Sequence, residues 1–134
     1  MRAKCINREL TEKQRLLFNV PTLFRSKYQI SIAKEYLVLG ISFVVNSPVY
    51  GNTALLEIAD DAGRCFSMPA ALFEIVDGRC SSFWETRFYE DGAVAMWPTE
   101  FYETYFHDKL SDGDRETRKV FESVLAKMKA EFSD

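Results

Sequence analysis

The clearest pattern in the chain is the alternation of apolar side chains between Glu35 and Asn46. One face of this stretch is wholly apolar, and its members are Leu37, Leu39, Ile41, Phe43 and Val45. A period of two with many β-branched residues predicts a strand. The second face is also mostly apolar, which predicts a central strand covered on both sides. The stretch is much shorter than the roughly 20 apolar residues of a transmembrane helix.

Two alternating segments follow, Thr53–Ala59 and Arg64–Met68, on either side of the sequence Asp60-Asp61-Ala62-Gly63. This sequence predicts a hairpin turn, because glycine supplies the positive φ that such a turn needs. The residues predicted to face inward are Ala54, Leu56, Ile58, Phe66 and Met68. A third short strand is expected at Leu72–Val76.

A second hairpin is predicted from Phe83–Tyr89 and Ala93–Trp97, joined by the two-residue turn Asp91-Gly92. In that register Thr86 faces Trp97, and Phe88 faces Ala95. One face is then apolar, and it holds Trp84, Thr86, Phe88, Ala95 and Trp97. The other face, with Glu85, Arg87, Tyr89, Val94 and Met96, is expected to be hydrated.

Helices are predicted at both ends of the chain. Thr11 and Gln14 fit a capping box that begins a short helix over 12–18, docked on the core by Leu16, Leu17 and Phe18. A helix opened by Pro98 and Thr99 carries an apolar stripe over 101–110, and a last helix is expected to begin with Ser111 as its N-cap. Its apolar stripe is Val120, Phe121, Val124, Leu125 and Met128.

These elements predict one α+β domain over residues 1–134. It would contain an antiparallel sheet of about five to six strands, a short N-terminal helix and two C-terminal helices. Residues 1–10 are polar and basic, and are expected to form a loose arm. Residues 22–33 are ambiguous, although alternation at Tyr28, Ile30 and Ile32 leaves a strand open.

The composition adds little to this prediction of the fold, but the distribution of charge along the chain adds information about possible partners. The chain is 47% hydrophobic and 28% charged, as expected for a globular protein. The net charge of −3 hides an asymmetry, since residues 1–56 carry eight Lys/Arg and three Asp/Glu, whereas residues 57–134 carry nine and seventeen. An acidic half can be solvated surface or a patch that steers a basic partner. It would repel a nucleic-acid backbone.

The residues give no catalytic, cofactor or metal motif. Three cysteines and a single histidine make a disulfide framework or a zinc site a poor prediction. Asp60-Asp61 is explained by turn chemistry, and His107 has no nucleophile beside it in the sequence. No apolar block typical of a signal peptide follows the N-terminal charges, so a cytoplasmic protein is expected. Because no catalytic motif is found, we expect a protein that is not an enzyme.

One segment resembles a known family. The run from Leu55 to Trp84 contains the acidic hairpin turn, Met68-Pro69-Ala70 and the sequence LFEIVD over 72–77. Followed by Trp97-Pro98 and an acidic, aromatic tail, it resembles small bacterial immunity proteins, the antidotes encoded beside polymorphic or contact-dependent toxins. This resemblance implies binding rather than catalysis, through an acidic surface that covers the basic face of a toxin, often a nuclease.

The first hypothesis is therefore an immunity-type protein that binds one cognate toxin domain, with no membrane partner. The predicted partner-binding residues are Asp60, Asp61, Glu85, Tyr89, Glu90, Asp91, Glu100, Glu103 and Asp108. The alternative is a single-strand nucleic-acid-binding or regulatory domain that uses the basic N-terminal half, with Arg25, Lys27 and Lys34 beside Tyr28 and Tyr36. An enzyme with an unrecognised site is the third possibility. A low sequence pI, about 5.3, disfavours nucleic acid.

Overall fold

The computed structural model describes residues 1–21 and 27–133, which form an α+β fold of two antiparallel sheets and three α-helices. The strands are β1 (Arg2–Cys5), β2 (Glu35–Leu37), β3 (Gly40–Ser47), β4 (Gly51–Ala59), β5 (Cys65–Pro69), β6 (Phe73–Asp77), β7 (Trp84–Phe88) and β8 (Val94–Pro98). The helices are α1 (Glu12–Leu17), α2 (Phe106–Ser111) and α3 (Arg115–Glu131), with 3₁₀ turns at Ala70–Leu72 and Thr99–Tyr102. Among the described residues, no helix is long and apolar enough to span a bilayer.

The strand order is β2-β1-β6 in the smaller sheet and β5-β4-β3-β8-β7 in the larger one. The N-terminal residues are therefore not a loose arm, because β1 is the middle strand of the smaller sheet. Ala3 and Cys5 are almost completely buried, while Arg2 and Lys4 lie on the other face. Four residues are too few for this alternation to stand out in the sequence.

The alternating stretch over 35–46 is two strands rather than one. It divides at Val38 and Leu39, which leave the smaller sheet and enter the larger one, and both are at most 1% exposed. β3 is the central strand of the larger sheet, as predicted. It is not covered along its whole length, since Phe43 and Val45 are each 44% exposed.

The first hairpin forms as expected, with Gly63 at φ 77° in its turn. Its interior differs, however, because β4 is buried on both faces over Leu55–Ile58, including the carboxylate of Glu57. Phe66 was predicted to face inward but is 44% exposed. The possible strand over 22–33 lies partly outside the described residues, and residues 27–33 are not in a strand.

The register of the second hairpin is displaced by one residue from the prediction. Thr86 pairs with Met96 and Phe88 with Val94, since the loop has three residues, with Gly92 at φ 90°. A one-residue shift moves every side chain of one strand to the opposite face. Trp97 and Ala95 therefore share a face with Glu85 and Arg87.

The capping box of Thr11 and Gln14 is confirmed, but α1 does not dock through its leucines. Leu16 is 83% exposed and Leu17 is 74% exposed, whereas the side chain of Arg15 turns inward and donates to the carbonyl of Pro21. At the other end of the chain, Asp114 is the N-cap of α3 rather than Ser111, and its carboxylate accepts from the backbone N–H of Thr117.

The helix predicted after Pro98 is interrupted. A 3₁₀ turn is followed by Tyr105 in the left-handed region, at φ 60°, and only then by α2. The interruption places 103–105 on the surface beside β7 and β8.

The buried side chains of the fold form two groups. One lies between the sheets and includes Val38, Ile58, Met68 and Leu72. The other lies under α3 and includes Leu39, Phe101, Phe106, Phe121, Val124 and Met128.

Candidate functional site

The nine predicted partner-binding residues fall into three places. Asp60 and Asp61 lie in the β4–β5 turn. Glu85, Tyr89, Glu90 and Asp91 belong to the β7–β8 hairpin, and Glu100, Glu103 and Asp108 belong to the segment from the second 3₁₀ turn to α2. Their local contacts decide which of them are free to meet a partner.

Asp60 is used inside the molecule. Its side chain is 2% exposed, and Oδ1 accepts from the backbone N–H groups of Ala62 and Arg64 at 2.9 and 3.0 Å. The Arg64 guanidinium lies 3.4 Å from Oδ2. A carboxylate occupied in this way stabilises the turn, and little of its surface is left to contact a partner.

Asp61 is at the surface, but it is also occupied. Its carboxylate accepts from the hydroxyls of Ser31 and Tyr36 and from the ammonium of Lys34, at 2.6 to 2.8 Å. The hydrogen bonds from Lys34, Ser31 and Tyr36 lower the pKa of Asp61 to about 2. Asp61 therefore ties the loop before β2 to the β4–β5 turn.

The β7–β8 hairpin leaves its polar groups accessible. Tyr89 is 47% exposed, and Glu90 and Asp91 are exposed at the turn, where Asp91 Oδ1 accepts from the N–H of Ala93. Glu85 is also accessible but pairs at 3.0 Å with Arg87. The guanidinium of Arg87 also lies 3.9 Å from the centre of the Tyr102 ring. The positive charge of Arg87 is therefore already balanced by Glu85 and held against an aromatic ring.

The segment from the 3₁₀ turn to α2 continues this surface. Glu103 and Asp108 are exposed, and Tyr105 between them is 70% exposed. A cleft of about 300 Å³ joins Glu103, Tyr105 and Asp108 to Tyr89 on the hairpin. The acidic aromatic surface is defined here as Tyr89, Glu90, Asp91, Glu103, Tyr105 and Asp108. Glu100 is not part of it, because it pairs with Lys127 of α3 at 2.8 Å.

Sequence reasoning missed a second feature, the contact between Glu57 of β4 and His107 of α2. Glu57 is 2% exposed, and its Oε1 meets Nε2 of His107. The thiol of Cys65 and the hydroxyl of Ser67 donate to the same carboxylate over longer distances, 3.5 Å each. A glutamate between leucine and isoleucine in an apolar strand was the available signal.

This contact lies at a cleft of about 340 Å³, with Arg64 and Arg118 among its other lining residues. Burial by itself would lower the pKa of His107, but the Glu57 carboxylate and, next, Asp108 raise it above its ordinary value. Burial and Glu57 raise the pKa of the Cys65 thiol. Cys65 is therefore protonated near neutral pH and is not an activated nucleophile.

Three basic residues of the N-terminal half are held in internal contacts, whereas Lys27 is exposed. Arg2 donates to the carbonyl of Phe132, Lys4 pairs with Glu74, and Lys34 pairs with Asp61. Tyr36 is 6% exposed and cannot stack on a base. Arg25 lies outside the described residues. Of the residues that the nucleic-acid alternative names, Lys34 is therefore engaged in an ion pair and Tyr36 is buried.

No protein-family model, no curated protein and no solved structure matches the chain. Within 1–21 and 27–133, no three His, Cys, Asp or Glu side chains converge as metal ligands. The resemblance of residues 55–84 to immunity proteins remains a prediction.

Proposed function

We propose that this chain is an immunity-type binding protein that acts in the cytoplasm and neutralises a cognate toxin, in the first instance a nuclease. Its contact region would be the acidic aromatic surface. One observation carries the proposal: Tyr89 and Tyr105, 47% and 70% exposed, line one cleft with the exposed Glu103 and Asp108, and the exposed Glu90 and Asp91 follow Tyr89 at the hairpin turn. Exposed tyrosines are frequent anchors of protein interfaces.

Charge supports the same partner class. Between Phe83 and Asp108 the chain carries six acids and a single Lys or Arg, Arg87. A nuclease must present cations to hold its nucleic acid, so an inhibitor gains association rate from opposing carboxylates. Covering that basic face would exclude the substrate without any chemistry by the inhibitor.

The experiment measures binding to the C-terminal domain of the protein encoded immediately upstream, by calorimetry and by stopped-flow kinetics. We expect nanomolar affinity that weakens as salt rises, together with loss of the domain's toxic activity. The double variant Glu90→Lys, Asp91→Lys should associate about tenfold more slowly or worse, with a smaller salt dependence.

The matched control is Glu116→Lys with Glu122→Lys. It makes the same charge change on exposed positions of α3, where each acid pairs with a neighbour of the same helix. Equal slowing by both double variants would show that net charge alone steers association. Unchanged kinetics in the hairpin variant would remove this surface from the proposal.

A further inference from the structure

Phe88 is the aromatic residue whose position departs furthest from expectation. It was predicted to be on the apolar inner face, yet it is 81% exposed at the end of β7. The observed register places it beside Val94, whose other neighbour is Phe43, 44% exposed. Val45, equally exposed, follows Phe43 on the same face. Phe43, Val45, Phe88 and Val94 form what is called here the apolar strip.

The apolar strip reaches the hairpin turn. A Cβ placed on Gly92 would lie 3.6 Å from a methyl carbon of Val45. Alternate residues of a strand point to opposite faces, so the strip lies on one sheet face and Tyr89 on the other. The end of the hairpin thus presents apolar side chains on one side, Tyr89 on the other, and Glu90 and Asp91 at its tip.

The base of the same hairpin is firmly held. The indole N–H of Trp84 donates to the carbonyl of Leu39 at 2.8 Å, and the Tyr102 hydroxyl donates to the carbonyl of Glu85 at 2.6 Å. β7 pairs with β8 alone, at the edge of the larger sheet. A fixed base with an exposed end is preorganised for binding, because little freedom is lost when the partner docks.

We infer that the end of the β7–β8 hairpin enters a cleft of the partner as a wedge, rather than lying flat on the partner's surface. This inference rests on the proposed function and specifies its geometry. A flat contact would use one sheet face and leave the apolar strip in water. A nucleic-acid cleft offers both kinds of contact, since it has cations for phosphates and stacking surfaces for bases. The carboxylates of Glu90 and Asp91 at the tip would pair with the cations, and the ring of Phe88 would contact the stacking surfaces.

The test compares binding of Phe88→Ser and Phe43→Ser with the wild-type chain, using the same upstream-encoded domain. We expect Phe88→Ser to weaken binding by about 30-fold or more through faster dissociation, with an unchanged association rate. Phe43→Ser should weaken it less. The matched control is Ile75→Ser, which removes a 46% exposed side chain from the smaller sheet, and should bind within about twofold of wild type.

Hydroxyl-radical footprinting of the wild-type complex gives a readout that needs no variant. A wedge predicts protection of both Phe88 and Tyr89, which lie on opposite faces of the hairpin. Protection of Tyr89 with Phe88 still reactive would overturn the wedge. The wedge would also be overturned if Phe88→Ser bound with wild-type affinity while the Glu90→Lys, Asp91→Lys variant associated slowly. In both of these cases the proposed function would stand. Absence of binding by the wild-type chain would overturn both.

Discussion

Two acidic turns of the larger sheet have similar sequences and different uses. The β4–β5 turn contains Asp60 and Asp61, and the β7–β8 turn contains Glu90 and Asp91. Each is completed by a glycine with positive φ. In the first turn the carboxylates hold backbone N–H groups, an arginine and a neighbouring loop, whereas in the second they remain exposed.

The difference comes from the strands rather than from the turns. Each hairpin has one edge strand, β5 or β7, and one strand with a neighbour on each side, β4 or β8. β4 is buried on both faces over Leu55–Ile58, and the N–H of Asp61 in its turn donates to the carbonyl of Gln29, so this turn lies against another part of the chain. β7 is an edge strand whose last four residues are exposed. An acidic turn is therefore an interface candidate only when the strands that carry it project from the core.

The largest expected effect concerns Glu57, the buried acid of β4. His107→Ala should lower the free energy of unfolding by about 3 kcal/mol at pH 6, because a buried carboxylate loses its ion-pair partner. Urea unfolding measures this. Asp108→Ala, a change at the next, exposed residue of α2, is the control and should cost less than about 1 kcal/mol. Equal losses would show that the Glu57–His107 contact does not hold α2.

The same pair predicts a pH dependence. The pKa of His107 is raised in the folded state, so its stabilising contribution is complete below the ordinary value of 6.5 and is lost as pH rises through the folded pKa. Between pH 6 and pH 9 the wild-type chain should lose more stability than His107→Gln. Parallel pH profiles of the two proteins, or an NMR titration of His107 below 6.5, would contradict this.

The next effect separates the two turns directly. Asp60→Ala should cost about 2 kcal/mol, since it leaves two backbone N–H groups and Arg64 without their acceptor. Asp91→Ala removes a single exposed acceptor and should cost less than about 1 kcal/mol. Chemical unfolding of both variants gives the comparison. Similar losses would mean that the two turns do not differ in their internal role.

Asp61 should show a smaller, pH-dependent effect. Its pKa is lowered from 3.8 to about 2, so its contribution is present above 3.8 and is lost as pH falls through about 2. Asp61→Asn should cost about 1 kcal/mol at pH 6, as expected for a surface ion pair with added hydrogen bonds. The difference in melting temperature from wild type should shrink towards pH 2. A constant difference would exclude the carboxylate charge as its cause.

The smallest effect on stability is expected at the tip of the second hairpin. Glu90→Ala should leave the free energy of unfolding within about 0.5 kcal/mol of wild type, because Glu90 is exposed at the turn. Thermal unfolding tests this. A loss of unfolding free energy as large as that of Asp60→Ala would show that the side chains of this turn, too, stabilise the fold.

The sequence was sufficient for local chemistry. The capping box of Thr11 and Gln14, the hairpin turn at Gly63 and the α+β class follow from rules that act over a few residues. The same rules placed Glu90 and Asp91 at a hairpin turn, where both are exposed. Whether they bind a partner is a separate question that the kinetic variants address.

The predictions that failed depended on more than the alternation of side chains within a single segment. The length of one loop, three residues rather than two, decided which face Trp97 occupies, and the missing cover over β7 left Phe88 in solvent. Asp60 became buried through contacts that are close in sequence, because Ala62 and Arg64, two and four residues away, converge on its carboxylate. None of these outcomes is encoded in the periodicity of a single segment, because each depends on what packs against it.

The position of β1 also has a consequence for the time course of folding. β1 pairs with residues 35–37 on one side and with residues 73–77 on the other. During synthesis one edge of β1 therefore stays unpaired until β6 has emerged from the ribosome. Pairings that distant in sequence slow folding, because a long loop must close before they form. We expect the smaller sheet to be completed late and to set the folding rate of the whole chain.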